Sequence, residues 1–162
     1  MKIPKQLTQF LDENNVNYQI LHHQPAFTAQ KSAHEERIKG RNHAKVVMIK
    51  SNGDLAMAVL PAHRIMDLEK FENLTGRSAS IAAENEFQSM FPECSVGAMP
   101  PLGRLYGLPT YIERSLTNDE YIVFQAGTHT DSVKMSYADY ERLAQPVVAD
   151  LAFRLVAKGL DN

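Results

Sequence analysis

The chain has 162 residues, of which 44% are hydrophobic and 22% are charged, and its formal net charge is −2. This length and balance predict one globular domain over residues 1–162, with a core large enough to fold without disulfides or metal ions. The acidic net charge argues against broad, sequence-independent binding of nucleic acid. The single cysteine cannot form an internal disulfide, which is typical of a reducing compartment, so we expect a cytoplasmic protein.

The N-terminal pattern predicts an amphipathic helix rather than a signal peptide. Ile3, Leu7, Phe10 and Leu11 recur at helical spacing, and the pair 14–15 ends the pattern. No apolar run approaches the ~20 residues that a membrane span requires, so no membrane association is expected. A strand is predicted over 16–21, and Thr28 is the predicted N-cap of a helix over 29–38.

The middle of the chain contains a hairpin signal. Apolar runs at 44–49 and 55–60 flank Asn52-Gly53, and Asn-Gly between such runs is typical of a β-hairpin. Helices are then predicted over 67–71, 81–90, 136–143 and 147–155, and strands over 110–112, 121–125 and 132–135. Because helices and hairpin-like strands are mixed, the order predicts an α/β (α+β) fold with a mixed sheet rather than a Rossmann fold.

Several common catalytic motifs are absent from the sequence. The segment 76–80 does not match the G-x-S-x-G elbow of serine hydrolases, and His34-Glu35 lacks the second histidine of a zincin. His22 and His23 point to opposite sides of an extended chain, which suits a shared metal poorly. Cys94 is a possible nucleophile, but single cysteines are more often inert. We therefore expect no metal ion and no nucleotide cofactor.

Three separate features remain as candidates for a site. Lys45 begins an apolar strand, where its ammonium can meet a phosphate or a hydroxyl, although a lysine there can also simply extend into water. The turn Gly97-Ala98-Met99-Pro100-Pro101 predicts a rigid rim of backbone groups, or else a plain connecting loop. His129 lies between two predicted strands, where it can donate to a carbonyl, relay a proton, or only bond to backbone.

The charge along the chain is uneven. Residues 31–50 contain six basic residues against two glutamates. This stretch predicts either a rim that holds a few phosphates or an ordinary solvated helix face.

Taken together, these features resemble the YbaK family, the free-standing relatives of the editing domain inserted in bacterial prolyl-tRNA synthetase. The resemblance runs over 16–143 and rests on an ordered set of motifs. They are His23-x-Pro25-Ala26-x-Thr28, Lys45 in its strand, Leu60-Pro61, the G-x-x-x-P loop Gly97–Pro101, and Gly127-Thr128-His129.

The resemblance implies hydrolysis of the ester that joins a wrong amino acid to the 3′ end of a transfer RNA. It also implies a partly barrel-like mixed sheet surrounded by helices, and no metal cofactor. Lys45 is then expected to hold the terminal nucleotide or its ester, and backbone at Gly97 and Pro101 to surround the amino acid's carbonyl and amine. His129 is expected to line the same pocket, with Thr28 as a small polar pocket residue.

The acyl pocket is expected to be apolar and to favour alanine, serine or threonine. Its expected lining is Phe27, Met48, Val59, Met99 and Pro100 beside Pro101. The expected partners are the 3′ acceptor end of an aminoacyl-tRNA and, in addition, an aminoacyl-tRNA synthetase. Two alternatives stay open: a non-catalytic module that binds a tRNA end or a synthetase, and an esterase acting on small aminoacyl esters.

Overall fold

The computed structural model describes residues 2–25 and 43–154. Within these ranges the α-helices are α1 (Lys5–Glu13), α2 (Leu68–Thr75), α3 (Glu84–Phe87) and α4 (Tyr137–Ala144). Short 3₁₀ helices span Gln88–Met90, Gly103–Tyr106 and Arg114–Asn118. The strands are β1 (Tyr18–His22), β2 (His43–Ser51), β3 (Asp54–Pro61), β4 (Ser80–Ile81), β5 (Thr110–Glu113), β6 (Tyr121–Gln125), β7 (Asp131–Ser136) and β8 (Val147–Ala149).

All eight described strands belong to one mixed sheet. Seven of them follow the order β1-β7-β6-β2-β3-β5-β8, and β4 pairs with β2. The pairs β2–β6, β3–β5 and β5–β8 are parallel, whereas the remaining pairs are antiparallel. The predicted mixed-sheet α/β fold is therefore confirmed.

The two faces of the sheet bury different clusters of apolar side chains. The larger cluster contains Leu7 of α1, Tyr140 of α4, and even-numbered residues of β6 such as Phe124. The smaller cluster contains Phe71 of α2 and, from β2, Ile49. Because side chains alternate along a strand, odd-numbered residues of β2 face the smaller cluster and even-numbered ones face the larger.

The pairing of β2 leaves a window in the sheet. On one edge β2 pairs continuously with β3, from Ala44 to Ser51. On the other edge it pairs with β6 only at positions 43–44, and with β4 only at 49–50. Residues 45–47 thus have no ladder partner on this edge among the described strands. β2 and β6 diverge here, and the polar backbone edge of β2 is left for other contacts.

Most predicted elements are found where the sequence placed them. The first helix, the Asn-Gly hairpin and the strands over 110–112, 121–125 and 132–135 are all present, with small changes of boundary. Asp67 caps α2, accepting a hydrogen bond from the Glu69 N–H at 3.1 Å. Ser136 likewise caps α4. The helix over 29–38 and its N-cap Thr28 lie outside the described residues.

Two predicted helices are wrong in part or in full. Ile81 belongs to β4, so the helix predicted over 81–90 begins only at Glu84 and tightens to a 3₁₀ turn after Phe87. The helix predicted over 147–155 is not formed: Val147–Ala149 is the strand β8, which pairs with β5. Val147 and Val148 are β-branched and favour a strand. A short apolar run can form either a helix or a strand, and here its pairing with β5 makes it a strand.

No helix in the described ranges has the length and apolar character that a bilayer crossing needs.

Candidate active site

Lys45 lies on β2 at the start of the sheet window. It pairs with Leu60 of β3 and is half-buried, and burial lowers the pKa of its amine. By alternation its side chain shares a face with Val47 and lies opposite Met48. A partly desolvated ammonium is stabilised by an anionic or polar ligand, so Lys45 is suited to meet a phosphate, a hydroxyl or an ester oxygen.

Gly97 lies in an exposed turn with a backbone conformation that favours glycine. Gly97 is exposed, has φ of +84°, and lies inside the turn that the Ala98 N–H closes onto the Ser95 carbonyl at 3.0 Å. Among the described residues the Gly97 N–H donates to no protein acceptor. Positive φ at this position favours glycine, and an unused amide can donate to the oxygen of a ligand.

The proline end of the same loop is anchored in the core. Pro100 and Pro101 are buried, and the hydroxyl of Tyr140 donates to the Pro101 carbonyl at 2.6 Å. Tyr140 is itself fully buried in the larger cluster. The loop therefore has one buried, hydrogen-bonded end and one exposed end, and a rigid rim around a ligand stays a prediction.

His129 contacts the Gly97 turn directly. Its Nε2 lies 2.9 Å from the carbonyl oxygen of Val96. Because a carbonyl only accepts, Nε2 must carry the hydrogen. A Cβ at residue 97 would lie 3.8 Å from Cε1 of the same ring, which is ordinary contact. His129 therefore holds the peptide before Gly97, and Nε2 is used as a donor rather than as a base.

Asp131 organises the turn that carries His129. Its Oδ2 accepts hydrogen bonds from Thr128 at 2.6 Å and from Thr130 at 3.0 Å, and its Oδ1 bonds His22 of β1. Burial alone would raise the pKa of Asp131, but these hydrogen bonds from Thr128, Thr130 and His22 outweigh burial and lower it. The ionised carboxylate thus fixes the β6–β7 turn from inside.

Hydrogen bonds join the Gly97 turn to the turn that follows β6, and strand pairing joins the strand of Lys45 to β6 itself. The N–H of Ser95 donates to the Gly127 carbonyl, and the N–H of Gly127 donates to the Ala98 carbonyl, both at 2.8 Å. Ala44, which precedes Lys45, is paired with Phe124. Position 127 lies two residues beyond the end of β6, so its Cα is no more than about 11 Å from that of position 124. The loop and the strand of the lysine are therefore both connected to the carboxyl end of β6 and the turn that follows it.

The residues expected to line the acyl pocket are either buried in the core or outside the described residues. Met48 and Met99 are buried in the larger core cluster, at 3% and 6% exposure. Met99 also lines a small cavity with Phe87 and Phe91. Phe27 and Thr28 lie outside the described residues. The structure thus leaves the lining of the acyl pocket as a prediction.

Sequence reasoning missed Asp131 and two buried polar residues on the sheet. Gln125 is 5% exposed and Ser132 is fully buried, and the two are paired across β6 and β7. The Ser132 hydroxyl lies 3.1 Å from Nε2 of His23. A polar residue inside an apolar strand was the available signal. It could not be used without the register, which decides the face it occupies.

Two other chemistries gain no support from the geometry. Cys94 is half-buried, 3.8 Å from the Tyr106 hydroxyl, and burial raises the pKa of its thiol. A thiol that stays protonated is a poor nucleophile. Among residues 2–25 and 43–154, no group of three histidine, cysteine or acidic side chains could hold a metal ion.

The larger surface cavities lie beside the Gly97 turn rather than at Lys45. One of about 530 Å³ lies between α1 and residues 92–106. A second, of about 570 Å³, lies between residues 85–92 and the segment 94–96 that leads into Gly97. Cys94 borders both of them.

Comparison with known proteins gives consistent results. Residues 23–143 match the family model of the aminoacyl-tRNA editing domain. The multifunctional Ser/Thr-tRNA deacylase ProXp-y of Escherichia coli, in strain K12 and in O157:H7, is 35% identical over 111 residues. The alignment covers 64% of this chain and 64% of each relative, so the chain spans less than two-thirds of the relatives' length.

Solved structures share the fold at low sequence identity. A candidate trans-editing enzyme for prolyl tRNA synthetase has a TM-score of 0.79 and 19% identity, covering 93% of this chain and 96% of that chain. A hypothetical protein has a TM-score of 0.83 and 17% identity, covering 92% of this chain and 100% of that chain. At these identities the similarity shows the fold alone.

Proposed function

Because the chain belongs to the aminoacyl-tRNA editing domain family, we propose that it is a trans-editing deacylase that hydrolyses the ester of a tRNA carrying a wrong, small amino acid. The observation that supports this proposal most strongly is the sheet window. Lys45, whose amine is partly desolvated, begins this window, and we propose that the Gly97 N–H, which donates to no acceptor among the described residues, faces it. The proposed site contains no covalent nucleophile.

The first proposed step is binding of the acceptor end. Lys45 is the group that meets the terminal adenosine, either at its phosphate or at a ribose oxygen. Its partial burial strengthens this contact, because a charge–charge interaction grows as the effective dielectric falls. The ammonium thereby fixes the ester relative to the Gly97 turn.

The second step is polarisation of the ester carbonyl. The N–H of Gly97 is the proposed donor, and it lies in a turn whose Val96 carbonyl bonds His129 and whose Pro101 carbonyl bonds Tyr140. A fixed donor aimed at a developing oxyanion can lower the barrier by about 3–4 kcal/mol. His129 contributes by holding the preceding peptide in this orientation.

The chemical step is hydrolysis by water. The oxygen of a water molecule bonds to the carbonyl carbon, and the bond between this carbon and the ribose oxygen breaks. One water proton ends on that ribose oxygen, and the products are the free amino acid and tRNA with an intact 3′ end. The adjacent ribose hydroxyl or a second water is the proposed proton carrier, since an ester beside a free hydroxyl is already activated.

Serine and threonine are the first acyl groups to test, with alanine next. The E. coli relatives at 35% identity are named Ser/Thr-tRNA deacylases, and an apolar pocket distinguishes one methylene by only about 1–3 kcal/mol. A cytoplasmic location and a synthetase partner that helps to select the tRNA belong to the same proposal.

A deacylation panel tests the proposal. Purified protein is incubated with tRNAs charged with serine, threonine, alanine and cysteine, alongside the Lys45→Ala variant. We expect turnover of at least one small-amino-acid substrate and a loss of about 100-fold or more in the variant. Full activity of Lys45→Ala would contradict the site assignment. Binding of tRNA without any turnover would favour the non-catalytic module, and cleavage of small aminoacyl esters alone would favour the esterase.

A further inference from the structure

One face of the sheet is polar beyond the window. Tyr18 of β1, Met135 of β7 and Ile122 of β6 pack into the larger cluster. Residues two positions away on each of these strands face the same side of the sheet. The alternating positions therefore lie on the opposite face. They carry Gln19 and Leu21 on β1, Ser132 and Lys134 on β7, and Tyr121, Val123 and Gln125 on β6.

The outer part of this face is open and forms a shallow cavity. The cavity has a volume of about 210 Å³, and its lining is Asn17, Gln19, Tyr121, Lys134 and Met135. Tyr121 is 41% exposed. The Lys134 ammonium lies 4.6 Å from the centroid of its ring. No carboxylate lines the cavity, which suits an anionic ligand.

The strand register connects this cavity with Lys45. Lys134 is paired with Val123, and Val123 is paired with His43, two residues before Lys45. Two strand spacings and two residues of strand separate the Cα atoms of the two lysines, which is about 12 Å in a flat sheet. Gln125 and Ser132 lie between them on the same face. This spacing is within reach of the few unpaired nucleotides of an acceptor end.

We propose that Tyr121, Lys134, Gln19 and Asn17, here called the outer track, bind the unpaired nucleotides that precede the terminal adenosine of the tRNA. The inference rests on the proposed function. An aromatic ring, a lysine and neutral amides are the groups that bind single-stranded RNA, through stacking, phosphate contact and base-edge hydrogen bonds. Tyr121 stacks on a base, Lys134 contacts a phosphate, and the amides of Asn17 and Gln19 meet base edges.

The test compares substrates that do and do not contain these nucleotides. Lys134→Ala and Tyr121→Leu are assayed on charged tRNA, on a charged acceptor-stem minihelix, and on an aminoacyl-adenosine with the same amino acid. Arg77→Ala is the control, because Arg77 is an exposed cation outside the basic stretch 31–50 that pairs with Asp54. The Kd of uncharged tRNA is measured over a series of salt concentrations.

We expect KM for tRNA and minihelix to rise about fivefold or more in Tyr121→Leu, and kcat to be retained. Lys134→Ala should weaken tRNA binding and reduce the slope of log K against log salt by about one. Turnover of aminoacyl-adenosine should equal that of the unmodified protein in both variants, which also shows that both are folded. Arg77→Ala should behave like the unmodified protein.

Unchanged KM and salt slope in both variants would overturn the outer track while leaving the deacylase intact. A defect on full-length tRNA but not on the minihelix would also overturn it, because the contact would then lie outside the acceptor end. Equal losses on aminoacyl-adenosine would show a general effect on the site and count against the inference. If the unmodified protein cleaves none of these substrates, the proposed function itself has failed.

Discussion

Lys45 carries its charge on a partly buried side chain. Burial of the charge lowers the stability of the folded protein, whereas the same buried charge can strengthen the binding of a ligand. Burial lowers the pKa of the amine, so the charged form is less stable in the folded protein than in the unfolded chain. A lysine retained under these conditions suggests a ligand rather than a structural role.

We therefore predict that Lys45→Met lowers deacylation by about 100-fold or more while the thermal unfolding midpoint stays the same or rises. The methionine removes the desolvated charge and keeps most of the apolar stem. Activity assays and thermal unfolding on the same preparation check this. A clear loss of stability would instead identify Lys45 as a residue that supports the fold.

The lowered pKa of Lys45 also determines how stability and substrate binding change with pH. Since the folded pKa of Lys45 is depressed, its unfavourable contribution to stability is present at neutral pH and disappears as pH rises through the folded pKa. If the charged form binds substrate, 1/KM should begin to fall at a lower pH than an unperturbed lysine would give. A KM independent of pH up to about 10 would contradict this role.

Gly97 is the second position where a single residue is decisive. Its φ of +84° costs a non-glycine residue about 1–2 kcal/mol, although a Cβ would meet only Cε1 of His129 at 3.8 Å. Gly97→Ala should therefore fold but present its amide in another direction, with a loss of activity larger than its loss of stability.

Gly107→Ala is a matched control for this variant. Gly107 has φ of +70°, and a Cβ there would have nothing within 4 Å. The two variants should lose similar stability in urea unfolding, and only Gly97→Ala should lose deacylation. Equal activity in both would show that the Gly97 amide does not contribute.

At the scale of elements, the β6–β7 turn and the Gly97 loop act as one unit. Asp131 holds the turn through Thr128, Thr130 and His22, and His129 of that turn holds Val96. Asp131→Asn keeps the shape but replaces an acceptor oxygen by an NH₂ group. We predict that it lowers kcat more than it raises KM, because it loosens the loop without touching the ligand.

Measurement of kcat and KM separately checks this prediction, with Asp139→Asn as the control. Asp139 bonds Arg142 on the surface of α4, away from the turn. An Asp131→Asn enzyme with unchanged kcat would show that the turn is held without the carboxylate.

The proline end of the loop provides a second element-scale prediction. Tyr140→Phe removes the hydroxyl that donates to the Pro101 carbonyl at 2.6 Å, and leaves a buried acceptor without this partner. The expected cost is about 1–3 kcal/mol in the free energy of unfolding, measured in urea. A cost below about 0.5 kcal/mol would mean that the Pro101 carbonyl finds another donor.

Local sequence predicted the elements whose signals are local. The Asn-Gly turn predicted the hairpin, and Asp67 and Ser136 marked helix starts, because turns and caps depend on adjacent residues. The chain from Val147 was predicted as a helix, since only the partner strand β5 shows that it is extended. Lys45, Gly97 and His129 were found as a motif, whereas Asp131 required the register between β1 and β7.

At the scale of the whole molecule, Glu113 connects several parts of the fold. Its carboxylate accepts the N–H groups of Ser115 at 2.7 Å and Leu151 at 3.1 Å, and Arg64 at 3.2 Å. Burial tends to raise its pKa, but these hydrogen bonds and the nearby guanidinium lower it overall. β5, the chain after β8 and the segment after β3 thus share one buried anion.

A depressed folded pKa contributes stability that is complete above the unfolded value and is lost as pH falls through the folded value. We predict that the free energy of unfolding is steady from about pH 5 to 7 and drops below about pH 4. In Glu113→Gln this acid-dependent drop should be smaller and the stability at pH 7 lower. Urea titrations at several pH values check both, and an unchanged pH profile would contradict the assignment.

The gap between β2 and β6 has a further consequence for dynamics. Only positions 43–44 of β2 are joined to β6, so the two halves of the sheet meet through a very short seam at the place where substrate is proposed to enter. A bound acceptor end would add contacts across this seam. Amide hydrogens of residues 43–47 should then exchange more slowly with solvent deuterium in the presence of a non-hydrolysable charged-tRNA mimic, and those of the β5–β8 ladder, which is separated from β2 by β3, should not change.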